Sequence, residues 1–318
     1  MKTILSFSLL LLIVASGCSQ TSSQGSNVGN RPVESSTQQA ESTTKTAALQ
    51  NQINEIAAEA KGKVGVAAVI LESGETIASL NPQEHFPMQS VYKLPISMAV
   101  MHGVDAGKIK LTEKISISKS EMVGRAAHSP IRDKHANGVS LTVEELLRYA
   151  LAESDGTASD VLMKLAGGPA AVQAYLTELS IKDLIVLDTE QTFTQDKTAQ
   201  YRNWATPEAS VALLRALHER RGLSESAQAL LLKFMTESKP GAKRLKGLLP
   251  AGTVVAHKTG TSGAAKGVTA ATNDIGIITL PNGKHLAITV FVSDSPADEA
   301  TREGVIAKIA KAAFDAAK

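Results

Sequence analysis

The sequence predicts an α+β fold: an antiparallel sheet drawn from both chain ends, flanked by helices, with an all-α domain inserted between them. Three observations lead there. Apolar, β-branched runs of strand length occur at 63–72 and return at 253–260, 273–280 and 284–294. Between them, from Ser90 to about Leu249, the apolar residues recur at helical spacing. The chain closes on "DEATREGVIAKIAKAAFDAAK", an amphipathic helix at 298–318.

Each element has its own signal. "TAALQNQINEIAAEAKG" (46–62) puts Leu49, Ile53, Ile56 and Ala57 on one helical face and ends at a glycine. "SGETIASLN" follows the first strand with a turn and a second short strand. Thr142 and Glu145 form a capping box ahead of "LLRYALAE". Gly167-Gly168 closes a helix and Pro169 opens another, while Thr206-Pro207 starts a helix that stops at Gly222. Pro281-Asn282-Gly283 joins the last two strands as a hairpin. No internal repeat is visible.

Composition narrows the function. A net charge of +2 and 3% aromatics give neither an electrostatic footprint nor a stacking platform for nucleic acid. The seven histidines lack any paired ligand spacing, so no metal and no cofactor is expected.

The first residues read as an export signal. Lys2 precedes an apolar run, Ile4 to Val14, then Ala15, Ser16 and Gly17 before Cys18, the single cysteine. The run is too short to span a bilayer as a mature helix, and one cysteine permits no intrachain disulfide. The pattern resembles the bacterial lipoprotein signal, which implies lipidation of Cys18 and a stable anchor if two or more chains are attached. Residues 19–45, rich in Ser, Thr, Gln, Asn and Gly, read as a disordered tether. The organisation expected is therefore a leader (1–18), a tether (19–45) and one folded domain (46–318). Its α/β part is 46–89 with 250–318, and its α part is 90–249.

Ser-x-x-Lys occurs three times, at Ser42, Ser90 and Ser116. Ser42 lies in the tether. Ser116 lies in the alternating "KISISKS", where strand spacing sends serine and lysine to opposite faces. Only Ser90 opens a helical run, in which Lys93 shares its face. A serine hydroxyl is a poor nucleophile until a base takes its proton, and a lysine amine can serve. A helix N-terminus adds N–H groups for a developing oxyanion. Pro95 lies early enough to distort the first turns.

Three further stretches add to this one: Ser154-Asp155-Gly156 between two helices, Glu190 in a polar, irregular region running to Trp204, and Lys258-Thr259-Gly260-Thr261 at a strand end. In this order the set resembles the signature of the class A serine β-lactamases. The stretches "FPMQSVYK", "GGPAA", "RLKGLLPAGTVVAHKTGTSG" and "TAATNDIGII" resemble the PER-like, extended-spectrum branch. The resemblance implies the serine β-lactamase/penicillin-binding-protein fold, a monomer in the periplasm and hydrolysis of small-molecule β-lactams.

It also implies roles. Ser90 attacks the lactam carbonyl, Lys93 or Glu190 takes its proton, Glu190 activates the hydrolytic water, and Ser154 relays a proton to the departing nitrogen. The backbone N–H groups of Ser90 and Thr261 form the oxyanion hole, where one lost donor costs about 2.7–4 kcal/mol in well-studied hydrolases. Lys258, Thr259, Gly260 and Thr261 hold the substrate, its carboxylate assisted by Arg244. His128 flanks the rim, while Asp160 and Thr194 organise the loop around Glu190.

Departures from the common pattern are equally specific. Gly156 stands where asparagine is usual, Thr194 where an asparagine commonly holds the water, and Asp188 where an arginine often pins the loop. "SGAAKGVTAA" is a long edge after the strand carrying Lys258, which implies room for bulky cephalosporins. Two alternatives stay open at this stage: a penicillin-binding protein or D,D-peptidase, and a non-catalytic β-lactam-binding lipoprotein.

Overall fold

The computed structural model describes residues 34–318 apart from Lys197, with side chains from Lys45 onward. The leader, Cys18 and the first part of the tether lie outside the described residues. Residues 42–318 form one compact unit.

Helix α1 (Glu34–Ala58) leads into strands β1 (Lys63–Ile70), β2 (Thr76–Leu80) and β3 (Phe86–Pro87). The helical part follows as α2 (Lys93–Asp105), β4 (Lys114–Ile117), α3 (Pro130–Lys134), β5 (Val139–Thr142), α4 (Val143–Ala152), α5 (Gly156–Leu165) and α6 (Pro169–Glu178). It continues through β6 (Leu184–Ile185), α7 (Glu190–Gln195), β7 (Trp204–Ala205), α8 (Pro207–His218) and α9 (Glu225–Thr236). Strands β8 (Val255–Thr261), β9 (Ala264–Ala265), β10 (Val268–Thr279) and β11 (His285–Ser295) precede α10 (Glu299–Ala317).

The main sheet has the order β2-β1-β11-β10-β8, with β9 hairpinned onto β10. Its pairings are antiparallel, and β1 lies directly against β11 from Lys63–Ser293 to Ile70–Leu286. The sheet therefore unites both chain ends, as the sequence predicts. Alternation decides its faces. Val64, Val66, Ala68 and Ile70 of β1 pack with Ile53 and Ile56 of α1 and with Val305, Ile309 and Phe314 of α10. Ala67, Ala287 and Phe291 face the other way, into the core of the helical part.

Within that second core α2 is buried nearly all round, through Leu94, Ile96, Met98 and Val100. An apolar circumference suits a helix enclosed by others. Thr142, Asp155, Thr189, Thr206, Ser224 and Asp298 each cap a helix by accepting a backbone N–H three residues on.

Three expectations change. Helix α1 begins at Glu34 instead of Thr46, so part of the polar 19–45 segment is helical; between Glu34 and Ala58 no glycine or proline interrupts propagation. Ser90 stands in a 3-10 turn, Gln89–Tyr92, one step before α2. Pro95 is then the third residue of α2, where its missing N–H costs no intrahelical bond. The region after Glu190 is not irregular at its start: Glu190 opens α7, capped by Thr189. Among the described residues no helix is long and apolar enough to cross a membrane.

Candidate active site

The 3-10 turn carrying Ser90 is wedged between β8 and the helical part. Asn273 of β10 donates from Nδ2 to the carbonyls of Pro87 (2.7 Å) and Met88 (3.2 Å), fixing the turn to the sheet. Gly260 permits the approach of β8: a Cβ there would lie 2.2 Å from the Met88 carbonyl oxygen. No side chain fits at that distance, so the strand bearing Lys258 and the turn bearing Ser90 meet only through a glycine.

Lys93 points from the first turn of α2 into the space between Ser90, Ser154 and Glu190. Its Nζ donates to Ser90 Oγ at 2.9 Å and to the Ser154 carbonyl at 2.7 Å, and lies 2.9 Å from Glu190 Oε1. The side chain is 1% exposed. A polar group so buried needs hydrogen-bond partners, and these three contacts supply them.

Ser154 is held in the left-handed region at φ 56. Such strain costs about 1–3 kcal/mol and is sustained by the surroundings. Here Asp155 supplies them: fully buried, it accepts from Ile131 N (2.7 Å), Ala158 N (2.8 Å) and Ser129 Oγ. Burial nonetheless pushes its carboxyl above the usual range, against these N–H donors. From the other side Lys258, also fully buried, donates from Nζ to Ser154 Oγ at 2.9 Å and to the Thr259 carbonyl at 3.0 Å. Burial first, and the nearby Lys93 second, hold its pKa well below the ordinary lysine value.

Glu190 is set by a residue from another helix. Asp160 of α5 accepts the Glu190 N–H at 2.8 Å and the Gln191 N–H at 2.9 Å, capping α7 in trans. Below it lies Tyr92, whose pKa burial and Glu190 raise well above the ordinary phenol value. Phe193 meets the Tyr92 ring edge-on. Asp188 takes part in a pin of reversed polarity: its carboxylate pairs with Arg202 at 2.7 and 3.1 Å. Arg202 also reaches Asp196 at 3.0 Å. Asn203, fully buried, accepts from Leu187 N and Asp188 N and donates to the Asp188 carbonyl.

Ser90, Lys93 and Glu190 open onto a cleft of about 290 Å³, shared with Thr194, Thr261 and His128 and walled on one side by residues 262–265. Thr194 spends its hydroxyl on the Gln191 carbonyl at 2.7 Å. His128 is exposed at the rim, with Nε2 3.0 Å from the Glu153 carbonyl. Gly156 lies under Glu190: a Cβ there would stand 3.2 Å from Glu190 Cγ and 3.2 Å from the His128 carbonyl.

Arg244 lies behind the cleft and does not line it. Only 3% exposed, it donates to Glu303 Oε1 (3.1 Å), the carbonyls of Gly260 (3.3 Å) and Asn273 (3.0 Å), and Thr261 Oγ1 (2.9 Å). Four of its five N–H groups are thereby engaged.

Thus Ser90, Lys93, Ser154, Glu190 and Lys258 are brought together, with Thr261 at the strand edge. A model of the beta-lactamase enzyme family matches residues 48–317. The chain belongs to that family. It is 41% identical to the extended-spectrum beta-lactamase PER-1 of Pseudomonas aeruginosa, over 86% of this chain and 89% of that one. The crystal structure of a beta-lactamase from Chitinophaga pinensis superposes with a TM-score of 0.82 at 47% identity, covering 84% of this chain and 98% of that one. A class A beta-lactamase from Bacteroides cellulosilyticus gives 0.79 at 34%, covering 85% and 98%. The fold is that of the class A serine β-lactamases, and the protein is a serine β-lactamase.

Several residues of this β-lactamase site were not legible in advance. Asp155 was, in part, since the N-cap pattern lies inside Ser-Asp-Gly. Asn203, Arg202, Tyr92 and Asn273 carry no local signal, because the groups they hold are assembled by tertiary folding.

Proposed function

We propose that the enzyme opens the β-lactam amide of penicillins and cephalosporins, bulky cephalosporins included, through an acyl-enzyme on Ser90. The observation that carries the reading is the position of Lys93 Nζ, within 2.9 Å of both Ser90 Oγ and Glu190 Oε1 at the floor of the cleft.

In acylation the Ser90 proton passes to Lys93 or Glu190, the two bases in reach, as Oγ bonds to the carbonyl carbon. The N–H groups of Ser90 and Thr261 receive the oxyanion. The C–N bond then breaks as Ser154, bridged to Lys258, gives its hydroxyl proton to the ring nitrogen. Ser154 takes in exchange the proton that the base removed from Ser90, which restores both the base and the Ser154 hydroxyl. In deacylation Glu190 takes a proton from water, whose oxygen displaces Ser90 Oγ, and the proton returns to the serine. Asp160 and Thr194 keep α7 in register for this step. Lys258, Thr259 and Thr261 hold the substrate carboxylate, and Arg244 contributes by orienting Thr261 from behind. His128 flanks the ligand. The β9–β10 hairpin, set at the edge of the cleft, leaves space for large acylamido groups, in keeping with the extended-spectrum relative. The protein acts as an exported monomer, anchored through Cys18.

Turnover of a chromogenic cephalosporin by the purified protein tests the reading, with Ser90→Ala and Glu190→Ala beside it. The serine variant is expected to be inactive and the glutamate variant to accumulate acyl-enzyme by mass spectrometry. One stoichiometric burst from the unmodified protein would overturn the proposal in favour of a penicillin-binding role.

A further inference from the structure

Among the described residues, one group of His, Cys, Asp or Glu side chains brings three ligand atoms within 4.8 Å of one another: Glu72, His218 and His285. They come from three separate places in the fold. Glu72 lies in the turn between β1 and β2, His218 is the last residue of α8, and His285 is the first of β11. This cluster is remote from the active site. His285 pairs with Thr279, whereas the stretch Lys258–Thr261 pairs with Ile275–Thr272. At about 3.4 Å per residue, four or more residues of β10 put roughly 14 Å or more between them along the strand.

We propose that Glu72, His218 and His285 form a surface site for a divalent transition-metal cation of zinc's class, which clasps the β1–β2 turn, α8 and β11. Two imidazoles and one carboxylate are a donor set suited to such an ion, with a further position left for water. Glu72 Oε1 lies 2.7 Å from His285 Nδ1 and 3.8 Å from His218 Nε2. The second distance is too long for a hydrogen bond, yet both rings turn a nitrogen toward the same oxygen. Bonds of about 2.0–2.1 Å to a tetrahedral ion would separate the donor atoms by roughly 3.4 Å; the two distances from Glu72 bracket that spacing, and all three donor atoms lie within 4.8 Å of one another.

The carboxylate is already oriented: its other oxygen, Oε2, accepts the His285 backbone N–H at 3.0 Å. An outer hydrogen bond of this kind fixes a metal-ligating carboxylate. The three side chains are 25–37% exposed, which gives the ion an entry path and leaves its open face in water. On binding, any proton between His285 Nδ1 and Glu72 leaves to solvent, and the metal takes its place.

The test uses the full chain without an affinity tag, stripped with a chelator. Cobalt is titrated first by visible absorption, then displaced by zinc, and thermal unfolding is followed with and without zinc. Glu72→Gln, His218→Ala and His285→Ala are compared. One equivalent of cobalt with tetrahedral absorption is expected, and each variant should lose at least about tenfold in affinity. Free zinc at a hundredfold excess over its dissociation constant should shift the unfolding equilibrium about 100-fold, an effect absent from the variants. The metal-free Tm of each variant checks that it folds. Absence of saturable binding, or equal affinity in all three variants, would overturn the site. Binding without stabilisation would overturn the clasp.

Discussion

The two oxygens of Asp160 hold the backbone of Glu190 from a neighbouring helix, accepting the N–H of Glu190 at 2.8 Å and that of Gln191 at 2.9 Å. The relationship has an electrostatic consequence. Burial raises the Asp160 carboxyl from 3.8 to about 6, against the pull of these two N–H groups. The native state thus retains a proton that the unfolded chain has already released. This group's contribution to stability is complete below about pH 4 and is lost as pH rises through about 6. Activity moves oppositely, because the protonated carboxyl has one acceptor fewer for α7. Asp160→Asn should flatten the Tm profile between about pH 4 and 7 while slowing deacylation about 10-fold, since an amide offers one acceptor to two donors. Parallel Tm profiles for the two proteins would show that Asp160 is not the titrating group.

Gly156 bears on the same step. A Cβ 3.2 Å from Glu190 Cγ is tighter than ordinary contact, so the carboxylate or the His128 carbonyl must yield. Gly156→Ala should lower stability by about 1–3 kcal/mol through overpacking. It should reduce kcat about 10-fold with acyl-enzyme building up, as displaced catalytic groups do. Equal kcat and Tm in the variant would show that α7 absorbs the methyl without cost.

Arg202 ties Asp188 to Asp196 across the loop that carries Glu190. Its side chain is 46% exposed, so Arg202→Ala should leave the global Tm almost unchanged. The loop should instead open locally, giving faster limited proteolysis between residues 187 and 203 and a several-fold slower deacylation. Unaltered cleavage kinetics would assign the pin to Asn203 alone.

Arg244→Ala removes one partner of a buried ion pair and leaves Glu303 uncompensated, a change that costs about 3–5 kcal/mol. It also frees Thr261 Oγ1, so KM for carboxylate-bearing substrates should rise more than kcat falls. Arg244→Lys restores charge without the fork that reaches two carbonyls and a hydroxyl, and should recover stability only in part. If the lysine variant matched the parent in both Tm and KM, the fork would have no role.

Ser90, Lys93, Ser154 and Lys258 could be singled out from the sequence because their short stretches, taken together and in order, resemble a family signature, and the structure brings these residues side by side. The sheet was readable for a simpler reason: β1, β10 and β11 are long apolar runs with turn residues at their ends. What stayed hidden depends on distance in the chain. The helix at Glu190 is completed by Asp160, thirty residues away, so its six residues look irregular on their own. Arg244 reads as a direct partner of the substrate carboxylate until Gly260, Asn273 and Glu303 are seen folded around it. Asp188 reads as a missing pin only while Arg202 is unseen, since an ion pair survives exchange of its two signs.

The pairing of β1 with β11 also governs when the enzyme can come into existence. Strand β11 sits in the centre of the sheet, between β1 and β10, yet it follows every other described strand in the chain. Until it emerges, the amino-terminal hairpin has no neighbour on its inner side, and contacts of such long sequence separation form slowly. A chain built in this order cannot close its main sheet until β11 has been made. That order leaves a product truncated before His285 with no central strand to close on.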